Sequence, residues 1–187
     1  MSETSPHLSY IQEKLGTKVL ETLQAQGDDV MLLDRAGLRE SFRFLKEDPR
    51  LGFNFLSEIT AVDYWNKKQP RFEVVYLLVS LQRKTKLRVR VPVPESEAAV
   101  ESLTTLWPGA NFLEREVWDL FGIRFSDHPD LRRILLYEEF QGYPLRKDYP
   151  VNLCQPRVPE RQVEGTFVDE RSRIKLMRLK HSLGQKS

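Results

Sequence analysis

Cysteine is nearly missing: Cys154 is the only one in 187 residues. A single thiol excludes an internal disulfide framework. It also excludes a cysteine-ligated iron–sulfur cluster, which takes about four thiolates, so any electrons passing nearby are carried by another chain. Histidine is scarce too, with only His7, His128 and His181, and no nucleophile, base and orienter constellation is legible. Long apolar runs are lacking; residues 74–79 form one of the longest, far short of the roughly 20 needed to cross a bilayer as a helix. The opening MSETSPHLSYIQEKLG has neither the basic start nor the apolar core of a secretory signal, and Glu3 and Glu13 do not fit an acid-poor transit peptide. A cytosol-facing chain is the expectation. Charge of one sign is also lacking, since 29 Lys and Arg meet 27 Asp and Glu for a net +2, and a dedicated nucleic-acid binder is not expected.

What is present, 40% hydrophobic and 30% charged positions, suits one globular core. Leu8, Ile11, Leu15, Val19 and Leu23 recur at steps of three and four and predict one helix over residues 8–23, with Gly27 as its stop. Residues 30–33 read as a short buried strand, and Asp34 as the cap of a helix carrying Leu38, Phe42 and Leu45 on one face. Residues 53–65 and 71–81, rich in aromatic and β-branched side chains around a polar turn at 66–70, predict a hairpin. In its second strand Phe72, Val74, Tyr76 and Leu78 alternate with Val75, Leu77 and Val79, which predicts a central strand covered on both faces. Residues 86–93 put Leu87, Val89, Val91 and Val93 opposite Lys86, Arg88 and Arg90, a half-exposed strand. With Arg83 and Lys84 this basic run reads as a solvated or subunit-facing surface rather than an RNA site, because exposed aromatics do not accompany it.

After Pro94, Ala99, Val100, Leu103, Leu106 and Trp107 predict an amphipathic helix ended by Pro108-Gly109. The expected architecture is a two-layer α/β domain, helices on a mixed β-sheet, over residues 1–137. An extended Pro-rich C-terminal arm follows over 138–187, because Gly142, Pro144, Pro150, Pro156 and Pro159 exclude regular helix and central strand.

Asn111 and Glu114 have the spacing of a capping box at the start of a helix over 112–121. Leu113, Val117, Leu120 and Phe121 form its apolar stripe, Arg115 and Asp119 an i, i+4 ion pair, and Gly122 its left-handed cap. Arg124, Asp127, His128, Asp130, Arg132 and Arg133 then crowd around Pro129, a charge density typical of a docking surface. A metal site at Glu116, Asp119 and His128 is the competing reading, weighed against ion pairing that uses the same atoms. Cys154, alone in a Pro-rich stretch, reads as structural or incidental.

Three blocks carry a resemblance: Glu114-Arg115-Glu116-Val117-Trp118-Asp119-Leu120-Phe121-Gly122, then His128-Pro129-Asp130-Leu131-Arg132-Arg133-Ile134-Leu135, then Gly142-Tyr143-Pro144-Leu145-Arg146-Lys147-Asp148-Tyr149-Pro150. In this order they resemble the C, or 30 kDa, subunit family of respiratory complex I, the proton-pumping NADH:quinone oxidoreductase. The likeness covers roughly residues 8–150 and fixes charged, aromatic, Gly and Pro identities rather than one spacing. It implies a scaffold subunit of the peripheral arm without catalytic, cofactor-binding or metal residues of its own. NADH, FMN, iron–sulfur clusters and quinone would be bound by other subunits.

The same resemblance implies partners: the quinone-site D subunit, the terminal-cluster B subunit and the neighbouring ferredoxin-like subunit. It implies membrane association through the complex, on the cytoplasmic side of the bacterial inner membrane. Within it, Glu114, Arg115, Glu116, Asp119, Gly122, His128, Pro129, Arg132, Arg133, Gly142, Pro144, Arg146, Lys147, Asp148, Tyr149 and Pro150 are the family-motif, partner-binding candidates. The alternatives are the equivalent subunit of a membrane-bound nickel–iron hydrogenase or of the ferredoxin-using photosynthetic complex, and, in another class, a free-standing metal-dependent hydrolase.

Overall fold

The computed structural model describes residues 5–158; the expectations for the tail beyond lie outside the described residues. Helix α1, Pro6–Leu15, starts at Ser5, whose hydroxyl accepts from His7 N at 3.3 Å, and stops at Gly16, where φ is 54°. The helix expected over 8–23 is therefore cut short, and Val19–Ala25 is strand β1. A step of four satisfies a strand as well as a helix, which is why Val19 and Leu23 fitted both periods. The decisive signal was the turn: Gln26 and Gly27, at φ 55° and 85°, join β1 to β2, Asp28–Leu33. Two positive-φ residues between antiparallel strands are the hairpin connection that matches strand twist.

Asp34 does not cap α2, Leu38–Glu47; its Oδ1 accepts from Ala36 N at 3.0 Å in the turn before it, and Gly37 takes the cap position. Leu38, Phe42 and Leu45 are buried together as expected. The hairpin of β3, Phe55–Asp63, and β4, Phe72–Ser80, is present, and β5, Thr85–Val93, extends it. The five strands lie in the order β1-β2-β5-β4-β3, antiparallel except for the parallel β2–β5 pair. Strand β4 is interior, but of its apolar residues only Phe72, Val74, Tyr76 and Leu78 are buried. Val75, Leu77 and Val79 stay half-buried on the other face, where full cover was expected.

Residues 94–107 are not a helix. A single 3-10 turn, Glu95–Glu97, leads into β6, Ala99–Glu101, which pairs in parallel with β7, Arg124–Ser126. Ala98 O accepts from Arg124 N, and Ser102 N donates to Ser126 O, both at 2.9 Å. These ladder bonds take the backbone groups an α-helix would have needed. Leu103 O receives the amides of Leu106 and Trp107 in one closed turn, which still buries Leu103, Leu106 and Trp107. Helix α3, Ala110–Phe121, then crosses the sheet near β3 and ends at Gly122 with φ 74°. After β7 the described backbone, residues 127–158, has neither helix nor strand.

Candidate functional site

Backbone that forms no ladder must satisfy its polar groups some other way, and residues 132–136 do so through side chains of α3. Asp119, fully buried, receives Arg133 Nη1 on Oδ1 at 2.7 Å. Its Oδ2 receives the amides of Ile134, Leu135 and Leu136 at 3.1, 2.9 and 2.9 Å. Burial alone pushes this carboxyl up. The amide of Leu136, the Arg133 guanidinium and the amides of Leu135 and Ile134 outweigh it and hold Asp119 below the usual carboxylate range.

Carbonyls of the same loop are met by arginines. Arg115 donates from Nε to Arg132 O and from Nη2 to Arg133 O, both at 3.0 Å. Arg133 Nη2 donates to Phe140 O at 3.0 Å and Gly142 O at 3.3 Å, with its guanidinium near the rings of Trp118, Phe140 and Tyr143. The expected Arg115–Asp119 pair is thus replaced: a partner fourteen residues downstream competes for Asp119, and Arg115 turns to carbonyls. Pinned from both sides, the loop presents Ile134 and Leu135 to the surface, 37% and 61% exposed.

Residues 142–149 are strapped to the core at three points. Leu145 N donates to Leu120 O at 3.1 Å, and Arg146 Nε to Phe121 O at 2.6 Å, which meets carbonyls left over at the end of α3. Gly122 lies under Tyr143 so closely that a Cβ there would fall 2.5 Å from the ring. Arg71, 3% exposed, holds Asp63 in a fork at 3.0 and 2.8 Å and donates to Asp148 at 2.6 and 3.2 Å and to Glu95 at 2.6 Å. Lys147 N completes this knot by donating to Asp63 Oδ2 at 2.8 Å. Burial pushes Asp63 up, but Arg71 and the amides of Lys147 and Trp65 bring it below its ordinary value. Tyr149 stacks on Phe140, 6.2 Å between centroids. Asp63 and Arg71 were not among the expected site residues; an aspartate closing one hairpin strand beside an arginine opening the next was the available signal.

Glu114 makes no capping box, because Gly109 is at the cap position and Glu114 Oε1 instead accepts from Leu103 N at 2.7 Å. It occupies the buried stripe Ala110, Glu114, Val117 and Phe121, while Leu113 and Leu120 are only half-buried. His128 lies beside it, Nε2 4.0 Å from Glu114 Oε2. Its nitrogens are engaged with Asn111 O at 3.1 Å and Asp130 N at 3.0 Å. Burial lifts the Glu114 carboxyl to about 7 against the opposing pull of Leu103 N, Ser102 and Arg39.

Of the remaining candidates, Glu116, Pro129, Arg132 and Pro150 are exposed, and Arg132 meets Asp130 at 2.9 Å in solvent. The Asp119 oxygens and His128 nitrogens of the imagined metal trio all have other partners. On the basic strand, Arg88 pairs with Asp28 at 2.9 Å and Arg90 with Glu73.

The family described as the respiratory-chain NADH dehydrogenase 30 Kd subunit matches residues 31–154. The C subunit of the NADH-quinone oxidoreductase of Geobacter metallireducens is 42% identical over 151 residues, 81% of this chain and 92% of that protein. The C 2 subunit of the NADH-quinone oxidoreductase of Rhizobium etli is 43% identical over 163 residues, 87% of this chain and 86% of its own length. Among solved structures, the trypsin-resistant fragment (1–134) of Nqo5 superposes with a TM-score of 0.59 at 38% identity, covering 67% of this chain and 96% of the fragment. A chain of the membrane-bound sulfane sulfur reductase, an archaeal respiratory membrane complex, gives 0.65 at 27% identity over 78% of this chain and 85% of its own. The chain belongs to the 30 kDa subunit family of respiratory-chain NADH dehydrogenase, a subunit family of the NADH–quinone oxidoreductase complex.

Proposed function

We propose that this chain is a non-redox scaffold in the quinone-reducing part of NADH–quinone oxidoreductase. It packs on the quinone-site D subunit and the terminal-cluster B subunit, next to the ferredoxin-like subunit, at the cytoplasmic face of the bacterial inner membrane. The family-motif residues act by assembly: Asp119, Arg115 and Arg133 shape the loop, and Gly122, Arg146 and Asp148 seat the strap, so that the arm over 138–187 meets its neighbours from a rigid start. NADH, FMN, iron–sulfur clusters and quinone are held by other subunits, which transfer the electrons and translocate protons. Attachment to the membrane runs through the partners; among the described residues no helix is long and apolar enough to cross a membrane.

The observation that carries this reading is the loop itself. A fully buried carboxylate and two arginines hold irregular backbone in one shape while Ile134 and Leu135 remain exposed. Pre-ordering an apolar contact in this way reduces the entropy lost on association. The trypsin-resistant Nqo5 fragment corresponds to two thirds of this chain, which fits a core that folds alone and a remainder that depends on neighbours.

Cross-linking and mass spectrometry of the intact complex from native membranes test it. Links from Lys147 and Glu138 should reach the D and B subunits, and a complex in which they reach neither overturns the placement. A second reading, the equivalent subunit of another membrane-bound respiratory reductase, is favoured by the match to the sulfane sulfur reductase. NADH oxidation by the purified complex separates the two.

A further inference from the structure

Helix α3 seats Glu114 on its buried stripe, at a position where an apolar side chain is the ordinary occupant. The carboxyl is fully buried and accepts one bond at Oε1, from Leu103 N at 2.7 Å, while Oε2 has no partner among the described residues. The groups that face it are Arg39 of α2, Tyr76 of β4, Ser102 beyond β6 and His128 beyond β7, with Glu101 of β6 acting on Tyr76. None supplies a paired cation. The Arg39 side chain is committed to Ser102 O at 3.0 Å and Asp127 Oδ2 at 2.8 Å, and its amide to Glu101 Oε2 at 3.0 Å.

His128 cannot play that part in this arrangement. Its Nε2 donates to Asn111 O, so it bears the proton, and its Nδ1 accepts from Asp130 N, so it bears none. The two hydrogen bonds together require the neutral Nε2–H ring. The Tyr76 hydroxyl is likewise buried and unpartnered among the described residues. An ionised carboxylate here would have the Leu103 amide and the Ser102 hydroxyl near it but no paired counter-ion, a costly way to bury a charge.

We propose that Glu114 is a proton-binding site of the folded chain: the seated α3 holds its carboxyl as the neutral acid, and release of that proton from Oε2 to solvent destabilises the buried seating of α3. The site makes packing of the motif helix dependent on pH near neutrality, independently of which subunits surround it.

Urea unfolding of the full-length chain, wild type against Glu114→Gln, tests this across about pH 4 to 9. The unfolded carboxyl ionises near its ordinary 4.5 and the folded one near about 7. Wild type should therefore lose stability relative to E114Q between those values and run parallel to it above them. The ratio of their unfolding constants should change by about 300-fold, 10 raised to the separation of the two ionisations. Parallel curves throughout would overturn the proposal.

If E114Q does not fold, infrared spectra of wild type with carbon-13-labelled glutamate decide alone. A protonated-carboxyl carbonyl band should persist at about pH 6, where free glutamates are ionised, and vanish by about pH 9. Its absence at pH 6 would overturn the proposal.

Discussion

Arg132 and Arg133 are neighbours in sequence and each pairs with an aspartate, yet their replacement by alanine should differ severalfold in cost. The Arg133 side chain is 15% exposed and its partner Asp119 is fully buried, whereas the Arg132–Asp130 pair is 69% and 47% exposed. Removing one partner of a buried pair costs about 3–5 kcal/mol. The three amides that remain on Asp119 Oδ2 reduce this. The lost bonds to Phe140 O and Gly142 O, at about 1 kcal/mol each, add back a similar amount. Arg133→Ala should therefore cost about 3–4 kcal/mol, and Arg132→Ala no more than about 1 kcal/mol, since Arg115 still holds the carbonyl of residue 132. Urea midpoints of the full-length variants at constant m-value read this directly. Costs equal within about 0.5 kcal/mol, well inside the spread expected between rim and buried pairs, would refute the assignment of Arg133 as the buried anchor.

Three further outcomes follow from the same geometry. Arg71→Ala should cost about 3–5 kcal/mol because it leaves buried Asp63 unpaired, while Asp148→Asn, on the exposed side of the knot, should cost about 1 kcal/mol or less and yet speed trypsin cleavage near Lys147. Equal cleavage of wild type and D148N would contradict the strap. Gly122→Ala has to place a side chain at φ 74° and 2.5 Å from Tyr143; it should lower the thermal midpoint and expose Tyr143 to quenchers, and unchanged fluorescence would contradict the close approach. Asp63 and Asp119, each pushed up by burial but pulled further down by its hydrogen bonds, lie below the ordinary 3.8. The stability they add is present above about pH 4 and lost as pH falls through their folded values, so the acid unfolding limb should flatten in Asp119→Asn.

Where local pattern and tertiary environment agreed, the fold was legible. The β3–β4 hairpin, strand β5 and the face of α2 carrying Leu38, Phe42 and Leu45 all read directly from alternation or helical spacing. The two misread helices share one cause, pairing with another strand, next door in sequence for β1 and distant for β6. Val19 and Leu23 joined a strand because β2 offered a ladder, and Ala99 and Val100 because β7 did. Burial was still right at Leu103, Leu106 and Trp107, since a closed turn buries the same side chains as a helix.

At the candidate site, the motif identified the residues but not their bonds. Nothing local could show that Asp119 meets Arg133 rather than Arg115, because the choice depends on a loop closing over α3. Glu114 is the opposite case: a glutamate between Ala110 and Val117 at helical spacing already signalled burial, and the capping-box pattern obscured it.

The scaffold account is tested most directly in membranes carrying Arg133→Ala, by measuring which subunits are assembled, cluster reduction by NADH and quinone-linked NADH oxidation on the same preparation. Activity should fall in proportion to the amount of assembled complex, with the turnover of each assembled enzyme unchanged. A fully assembled complex with normal cluster reduction and abolished quinone reduction would show that Arg133 acts in the reaction rather than in holding surfaces together, and would contradict the account.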